Sequence, residues 1–354
     1  MDKFARTSRE NRQLVFQETA SRKGTSPQIA EKDFWVCWTL KRLFSLDRFG
    51  DYFVFKGGTS LSKVYGVIER FSEDIDVAIQ RHLLVDTEDG EFAKMSVKKR
   101  DSNVKALDDK CKKLIQSEIL KELQTSIESQ LGNSGWTLEV DSDDPFGQTI
   151  LFKYPNGNNS DGPTGLEYVR SIVKIELGAR PTNEPSETHS IRPFVAEQFP
   201  NQFQDPEVAL KVLAAERTFW EKATILHDLF HRQPEYVGRE RFSRHYYDLY
   251  QLSRHGWASK ALEKVEILNS VVANKKDYFY RAGAKYDEAL NGRLRLSPND
   301  AMINRIHDDY TKMGEMIFGK PPDFEDILKE LAGLEEQINI DVKLRMAKPK
   351  PEIG

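Results

Sequence analysis

Cysteine is scarce in this sequence, and long apolar runs are missing altogether. The only cysteines are Cys37 and Cys111. Two cysteines cannot supply the disulfide framework of a small secreted domain, and no Cys/His spacing matches a zinc site. No run of about 18 apolar residues is present, so we expect no transmembrane helix. The chain starts in polar sequence rather than with a signal peptide. These absences predict a protein of the reducing cytoplasm that does not enter a membrane.

An excess of basic residues is also missing. Lys and Arg total 52 and Asp and Glu total 56, so the net charge is −4. A global positive field for nucleic acid is therefore absent, and RNA binding would depend on local patches. Clusters of this kind are also common on solvated helix faces, and this alternative stays open. The candidate patches are residues 98–100, residues 110–113, and residues 239–241 with Arg244.

Hydrophobic periodicity predicts the secondary structure. The predicted helices are residues 27–44, 60–69, 92–131 and most of 206–337. The predicted strands are residues 52–55, 75–79, 136–140, 149–154 and 169–177. Strand patterns end near residue 206, and helical periodicity dominates from there onwards.

This order of elements predicts an α/β (α+β) fold with a mixed sheet, followed by a helical C-terminal lobe. We expect a catalytic lobe over residues 1–200. A helical lobe over residues 201–340 would contribute to the active-site cleft. Residues 341–354 would form a flexible tail, since Pro and Lys dominate its end.

A pair of glycines follows the first predicted strand. Gly57 and Gly58 allow the backbone to approach a ligand closely, and Thr59 and Ser60 add hydroxyl groups where a helix begins. Such a turn can hold phosphate groups, or it can simply pack tightly. The segment is not a Walker A loop, because no glycine immediately precedes Lys63. The candidate nucleotide-binding residues of this segment are Lys56, Gly57, Gly58, Thr59, Ser60 and Lys63.

A pair of aspartates follows the glycine pair. Asp74 and Asp76 are two positions apart on a predicted strand, so their side chains share one face while Ile75 and Val77 point to the other. Two carboxylates on one face repel each other unless a cation lies between them. Mg²⁺ prefers oxygen ligands and completes its shell with waters and substrate phosphates. The alternative is that both aspartates face solvent on an edge strand.

The glycine turn and the segment Arg-Phe-Ser-Glu-Asp-Ile-Asp at residues 70–76 resemble the signature of DNA polymerase β-like nucleotidyltransferases. More narrowly, the chain resembles the AbiEii family, the toxins of type IV toxin–antitoxin and abortive-infection systems, which are related to the MenT toxins. The resemblance covers roughly residues 28–255. The gap between glycines and aspartates is longer than in typical polymerase β-like enzymes, though it suits this subfamily. Its further segments are residues 31–36, 173–178, 216–222 and 244–249.

The resemblance assigns roles to further residues. Glu176 would be a third metal-binding carboxylate beside Asp74 and Asp76; the alternative is a surface Glu next to Lys174. Lys222 would present its ammonium group to the triphosphate; the alternative is a lysine whose stem covers apolar surface. For Asp248, the resemblance implies a place in the active site, and the alternative is an i,i+4 ion pair with Arg244. Two more residues, Arg70 and Ser72, would contact phosphate.

The expected activity is Mg²⁺- or Mn²⁺-dependent transfer of a nucleoside monophosphate from an NTP. The resemblance implies RNA as the acceptor, plausibly the 3′ end of tRNA, and a cognate antitoxin encoded nearby. We expect a monomer, although the sequence does not determine the oligomeric state. Two rival functions stay open: nucleotidyl transfer to a small molecule or protein, and nucleotide binding without turnover.

Overall fold

The computed structural model describes residues 1–72, 74–85, 92, 95–155, 171–233 and 241–346. The chain divides into two compact units. The first unit comprises residues 1–64, 71–86 and 103–213, and the second comprises residues 65–70, 87–102 and 214–354. Of the predicted tail, residues 341–346 are helical and residues 347–354 lie outside the described residues.

The described secondary structure consists of helices α1–α14 and strands β1–β7. The strands are β1 Phe53–Lys56, β2 Ile75–Ile79, β3 Thr137–Val140, β4 Thr149–Lys153, β5 Ile172–Gly178, β6 Ser186–Ile191 and β7 Val208–Leu213. The helices are α1 Asp2–Ala5, α2 Arg9–Lys23, α3 Pro27–Phe44, α4 Gly57–Lys63, α5 Val97–Leu114, α6 Leu120–Leu131, α7 Phe194–Gln198, α8 Ala215–Phe230, α9 Ser243–Arg254, α10 Trp257–Glu263, α11 Glu266–Tyr278, α12 Tyr286–Leu290, α13 Ile303–Met313 and α14 Phe324–Met346.

The first unit is built around a mixed sheet of seven strands in the order β3-β4-β5-β2-β1-β7-β6. The pairs β2–β5 and β1–β7 are parallel, and the other neighbours are antiparallel. Strand β2 lies between β1 and β5, so it is hydrogen-bonded along both edges. The prediction of an α/β fold with a mixed sheet is confirmed.

Helix α3 supplies much of the aromatic core of this unit. It begins as predicted, with Ser26 accepting a hydrogen bond from the amide of Ile29 and Pro27 in the first turn. The ring of Trp35 stacks on Tyr154, with centroids 5.2 Å apart, and the fully buried Trp38 stacks on the ring of Phe152 in β4. This packing fixes α3 against the sheet through large apolar contacts.

Strand β7 contradicts the expectation that strand patterns end near residue 206, and β6, which lies before that point, is a strand that the sequence did not predict. Strand β7 pairs in parallel with β1, and β6 pairs with β7. The short apolar run of β7 is followed after a single residue by helix α8, and periodicity alone cannot separate a short strand from a helix there. At the edge of the sheet, β6 has the polar sequence Ser-Glu-Thr-His-Ser-Ile and is mostly solvent-accessible, so it lacks an apolar signal.

Helix α4 is shorter than predicted. It ends at Lys63, and Gly66 adopts a positive φ of 61° that an α-helix does not use. Residues 65–70 belong to the second unit, so the chain leaves the first unit directly after this helix.

The second unit is formed by helices in its described part. Helix α8 packs against α9, α10 and α11. Its sequence buries apolar residues on several sides, with Phe219, Trp220 and Leu226 fully enclosed. No described helix combines the length and apolar character needed to cross a membrane.

Candidate active site

The carboxylate of Asp76 lies directly against the backbone of Gly57. An alanine Cβ built at position 57 would lie 1.9 Å from Asp76 Oδ2 and 2.9 Å from Asp76 Cβ. Gly57 also has φ of 82°, in the left-handed region that side chains disfavour. Two independent requirements therefore select glycine here. The glycine turn and the acidic strand form one packed arrangement.

Strand register places three charged residues in a row across the sheet. Asp76 of β2 is the register partner of Lys56 in β1 and of Glu176 in β5. Register partners on adjacent strands point to the same face, with Cβ atoms about 5 Å apart. The burial pattern agrees, since Ile75 and Val77 are buried while Asp76 is partly exposed. Asp74, two residues before Asp76, shares this face by the same alternation.

Glu176 is paired with a lysine of its own strand. Its carboxylate lies 2.7 Å from the ammonium of Lys174, and both side chains are about 40% exposed. Burial opposes the charged lysine, but Glu176 and Asp74 outweigh it and raise the pKa of Lys174. The contact with Lys174 is the one named above as the alternative for Glu176. Lys174 itself, which sequence reasoning did not count as a site residue, contacts Glu176 and feels the charge of Asp74.

The acidic residues fit a divalent cation that takes much of its shell from the substrate. Among the described residues, no group of three or more His, Cys, Asp or Glu side chains is placed to hold a metal ion. Two carboxylates on one strand face, with Glu176 on the neighbouring strand, are the hard oxygen donors that Mg²⁺ uses when phosphates and waters complete its shell. The cation-binding residues would be Asp74 and Asp76, with Glu176 joining them on release from Lys174.

The hydroxyl groups next to the glycine turn are used inside the protein. Thr59 Oγ1 lies 2.5 Å from the carbonyl oxygen of Asp74 and 3.0 Å from Ser72 Oγ. Ser60 Oγ donates to the carbonyl oxygen of Gly57 at 2.9 Å. Both Thr59 and Ser60 are buried, and Ser72 is half-buried. These side chains therefore hold the turn and the start of β2 together. In place of the Thr59 and Ser60 hydroxyl groups, the backbone of the turn and Lys56 would contact phosphate.

Lys63 is engaged with a buried carboxylate. Its ammonium lies 2.6 Å from Asp33 Oδ1, and both side chains are less than one-tenth exposed. Asp33 Oδ2 also accepts the backbone N–H of Phe194 at 2.6 Å, and the same ammonium lies 4.0 Å from the Phe194 ring. This arrangement fixes α4 to α3 and α7. Because this pair joins three helices, we assign Lys63 an anchoring role.

A second cluster of predicted residues lies within the second unit. The fully buried carboxylate of Asp248 in α9 accepts two hydrogen bonds from Arg70, at 2.7 and 2.9 Å. It also lies 2.7 Å from the ammonium of Lys222 in α8. This forked geometry holds the guanidinium in one orientation. The carboxylate of Asp248 is used by Arg70 and Lys222, and not by an i,i+4 pair with Arg244.

Burial and charge set the protonation of this cluster. Burial would raise the pKa of Asp248, but Arg70 and Lys222 overcome it and hold that pKa well below its usual range. Burial lowers the pKa of Lys222; Asp248 opposes this shift, and Arg70 adds to it. The carboxylate of Asp248 is thus in contact with two cations, Arg70 and Lys222. Asp248 therefore positions the two cations and is not available as a metal ligand in this arrangement.

Sequence reasoning missed Asp33. It stands in the segment Glu-Lys-Asp-Phe-Trp-Val at residues 31–36, which supported the family resemblance without receiving a role. An aspartate surrounded by apolar residues in a predicted buried helix was the available signal, because such a carboxylate needs a charged partner.

The glycine turn with Asp76 against it, on a mixed sheet, is the arrangement that the sequence led us to expect of a nucleotidyltransferase, and the family comparison decides the class. The sequence matches the family described as "Nucleotidyl transferase AbiEii toxin, Type IV TA system" over residues 38–330. The chain therefore belongs to the AbiEii family of nucleotidyltransferase toxins of type IV toxin–antitoxin systems, and the predicted family is confirmed. Membership implies an antitoxin partner.

MenT4, a nucleotidyltransferase toxin from Mycobacterium tuberculosis H37Rv, aligns with a TM-score of 0.43 and 17% sequence identity. The alignment covers 94% of this chain and 98% of MenT4. No curated protein matches the sequence.

Proposed function

We propose that this toxin transfers a nucleoside monophosphate from an NTP to a hydroxyl group of RNA, at the 3′ end of tRNA, with Mg²⁺ or Mn²⁺ as cofactor. The observation that supports the proposal is the close approach of the Asp76 carboxylate to the backbone of Gly57, because a cation held by Asp76 would then lie beside the glycine turn. The reaction would take place in the cytoplasm, since Cys37 and Cys111 are buried and free.

In this proposal the sheet residues bind the metal–nucleotide complex. Asp74 and Asp76 would hold the cation, and Glu176 would be a further ligand if it left its contact with Lys174. A bound divalent cation supplies Lewis-acid activation of the acceptor hydroxyl and neutralises charge on the leaving pyrophosphate. Lys56, in register with Asp76, contributes a positive charge for the phosphates. Lys174, once released from Glu176, would be a second cation besides Lys56 on this face of the sheet.

The buried cluster supplies further positive charge. Lys222 is the proposed contact for the triphosphate, because its ammonium is largely dehydrated and held in place by Asp248. A charge-assisted contact gains strength where water is excluded. Arg70 precedes Asp74 by four residues in the chain and is fixed by the same carboxylate. Arg70 and Ser72 are proposed to contact phosphate at the entry to β2.

The decisive experiment incubates the protein with each of four labelled NTPs and total RNA, and then sizes the labelled product. We expect label in one size class of RNA, loss of transfer with EDTA, and recovery with Mg²⁺ or Mn²⁺. Asp74→Ala and Asp76→Ala should abolish transfer, whereas Asp51→Ala, which changes an exposed carboxylate of the same unit, should not. Near wild-type transfer by either strand variant would contradict the metal site.

The same assay separates the rival functions. Label that appears only on a small molecule or on protein would replace the RNA acceptor while keeping the chemistry. Saturable NTP binding without any labelled product, in the presence of Mg²⁺ and RNA, would favour a nucleotide-binding regulator.

A further inference from the structure

Two partly exposed aromatic residues follow each other in the chain where α11 ends. Phe279 and Tyr280 follow the last residue of this helix and are 37% and 42% exposed. Large apolar side chains of this kind usually bury more of their surface, and exposed aromatic residues often mark a binding site. Both rings lie in the second unit, and sequence reasoning gave them no role.

Each ring is accompanied by a cation. The guanidinium of Arg100 lies 3.6 Å from the centroid of Tyr280, and the ammonium of Lys275 lies 5.0 Å from the centroid of Phe279. Arg100 is only 5% exposed, and its Nη1 donates to the carbonyl oxygen of Lys276 at 3.2 Å. Arg100 is thus fixed beneath Tyr280, which leaves the exposed part of the ring available to a ligand.

The first turn of α5 adds more positive charge to this place. Lys98 and Lys99 are exposed and directly precede Arg100. Three cations at a helix N-terminus oppose the helix dipole, so helix stability does not explain them. The nearby acids offset them only in part: Asp101 of α5 is exposed, Asp277 of α11 is buried, and Asp287 of α12 is paired with Lys276 at 2.9 Å. The surface carries a net positive charge around two aromatic rings.

We propose that this surface binds single-stranded RNA, with two consecutive bases stacking on Phe279 and Tyr280. Lys98, Lys99 and Lys275 would contact the flanking phosphates. Unpaired bases stack on aromatic side chains and their phosphates meet basic residues, which is the combination found here. The proposal rests on the proposed RNA acceptor and adds where that RNA is held. An acidic protein partner would need the charges but not the flat rings.

The test measures binding of a short 5′-labelled single-stranded RNA to the full chain without NTP, by fluorescence anisotropy. Tyr280→Ala and Phe279→Ala should each weaken binding by roughly tenfold, the effect expected for losing one stacked base. Tyr280→Trp should retain binding. Ile340→Ala, which changes an apolar residue of α14 in the same unit with 50% exposure, is the matched control and should leave affinity unchanged.

Salt dependence tests the charges separately from the rings. The double variant Lys98→Gln, Lys99→Gln should lower the slope of log affinity against log salt by roughly 1.4, about 0.7 for each phosphate contact to a single strand. The ring variants should keep the wild-type slope. A fully paired duplex of the same sequence should bind without sensitivity to Tyr280→Ala, because its bases cannot stack on a side chain.

Two outcomes separate this surface from the reaction. In the first outcome, wild-type protein transfers nucleotides to RNA and the Phe279 and Tyr280 variants bind and transfer normally. This result would refute the proposed RNA-binding surface and leave the proposed function standing. Wild-type protein that neither binds nor labels RNA would overturn both. Sensitivity to Lys98 and Lys99 without sensitivity to the rings would replace base stacking by a charge-only surface, and would also reject the proposal.

Discussion

The contact between Gly57 and Asp76 leads to a quantitative prediction for Gly57→Ala. The new Cβ would lie 1.9 Å from Asp76 Oδ2 and 2.7 Å from Asp76 Cγ. Both distances are much shorter than a van der Waals contact between these atoms. Turning the Asp76 side chain would remove these two contacts. It would not remove the third, because the Cβ of Asp76 lies 2.9 Å away and its position is set by the backbone. Either β2 or the glycine turn must move.

The turn is the part expected to move. Strand β2 is held along both edges by β1 and β5, whereas the turn joins one strand end to a helix of seven residues. Left-handed backbone costs an alanine about 1–2 kcal/mol, and overpacking adds about 1–3 kcal/mol. The variant should therefore lose about 2–5 kcal/mol of unfolding free energy. Misplacing reacting groups by about 1 Å should slow transfer by about 100-fold.

Gly24→Ala is the matched control for this variant. Gly24 also has a positive φ, 65°, but a Cβ there would meet nothing within 4 Å. It should lose only the backbone contribution, about 1–2 kcal/mol, and keep full transfer activity. Denaturant unfolding and single-turnover transfer would be measured for both. Equal stability losses in the two variants, together with wild-type transfer by Gly57→Ala, would refute the proposed packing of Asp76 against the turn.

A double-mutant cycle keeps the test informative if Gly57→Ala folds poorly. Asp76→Ala removes the two closest contacts, so Gly57→Ala should be less destabilising in that background by more than about 0.5 kcal/mol. Additive effects would mean that the two side chains do not meet.

Local pattern was enough to predict the acidic face of the sheet. Alternation placed Asp76 on the face opposite Ile75 and Val77, and this pattern is found. Alternation depends on neighbouring residues only, so a single sequence carries it. The register that sets Asp76 beside Glu176 could not be derived in this way, because it depends on which strands pair.

The charged partners were beyond local pattern for the same reason. Arg70 and Asp248 are 178 positions apart in the chain, and no periodicity relates them. The role assigned to Lys63 from its place next to the glycine turn missed its pairing with Asp33, which approaches from another helix. Lysine near a phosphate turn and lysine in a buried ion pair have the same sequence signal. Only the fold distinguishes them.

Three further predictions concern buried charges. Asp248→Asn should lose about 3–5 kcal/mol of stability in denaturant unfolding, because two buried cations lose their carboxylate. Lys222→Met should cost less stability yet abolish transfer. A Lys222→Met variant that is less stable than Asp248→Asn would contradict the pairing of both cations with Asp248. Asp33→Asn should destabilise the protein strongly, because the buried Lys63 loses its partner. The double variant Asp33→Leu, Lys63→Met should recover most of that loss. A double variant no more stable than Asp33→Asn would contradict this explanation. The third prediction is a pH dependence. Burial raises the pKa of Glu31 to about 7, and Arg12 opposes this shift only in part. A carboxyl group with a raised folded-state pKa stabilises the fold below its unfolded pKa, and this contribution is lost as pH rises through 7. Glu31→Gln should therefore be more stable than wild type at pH 8 by about 1–3 kcal/mol and nearly equal to it at pH 4.5. Unfolding curves at the two pH values measure this difference, and a gap that stays constant with pH would show that Glu31 ionises as freely in the folded chain as in the unfolded one.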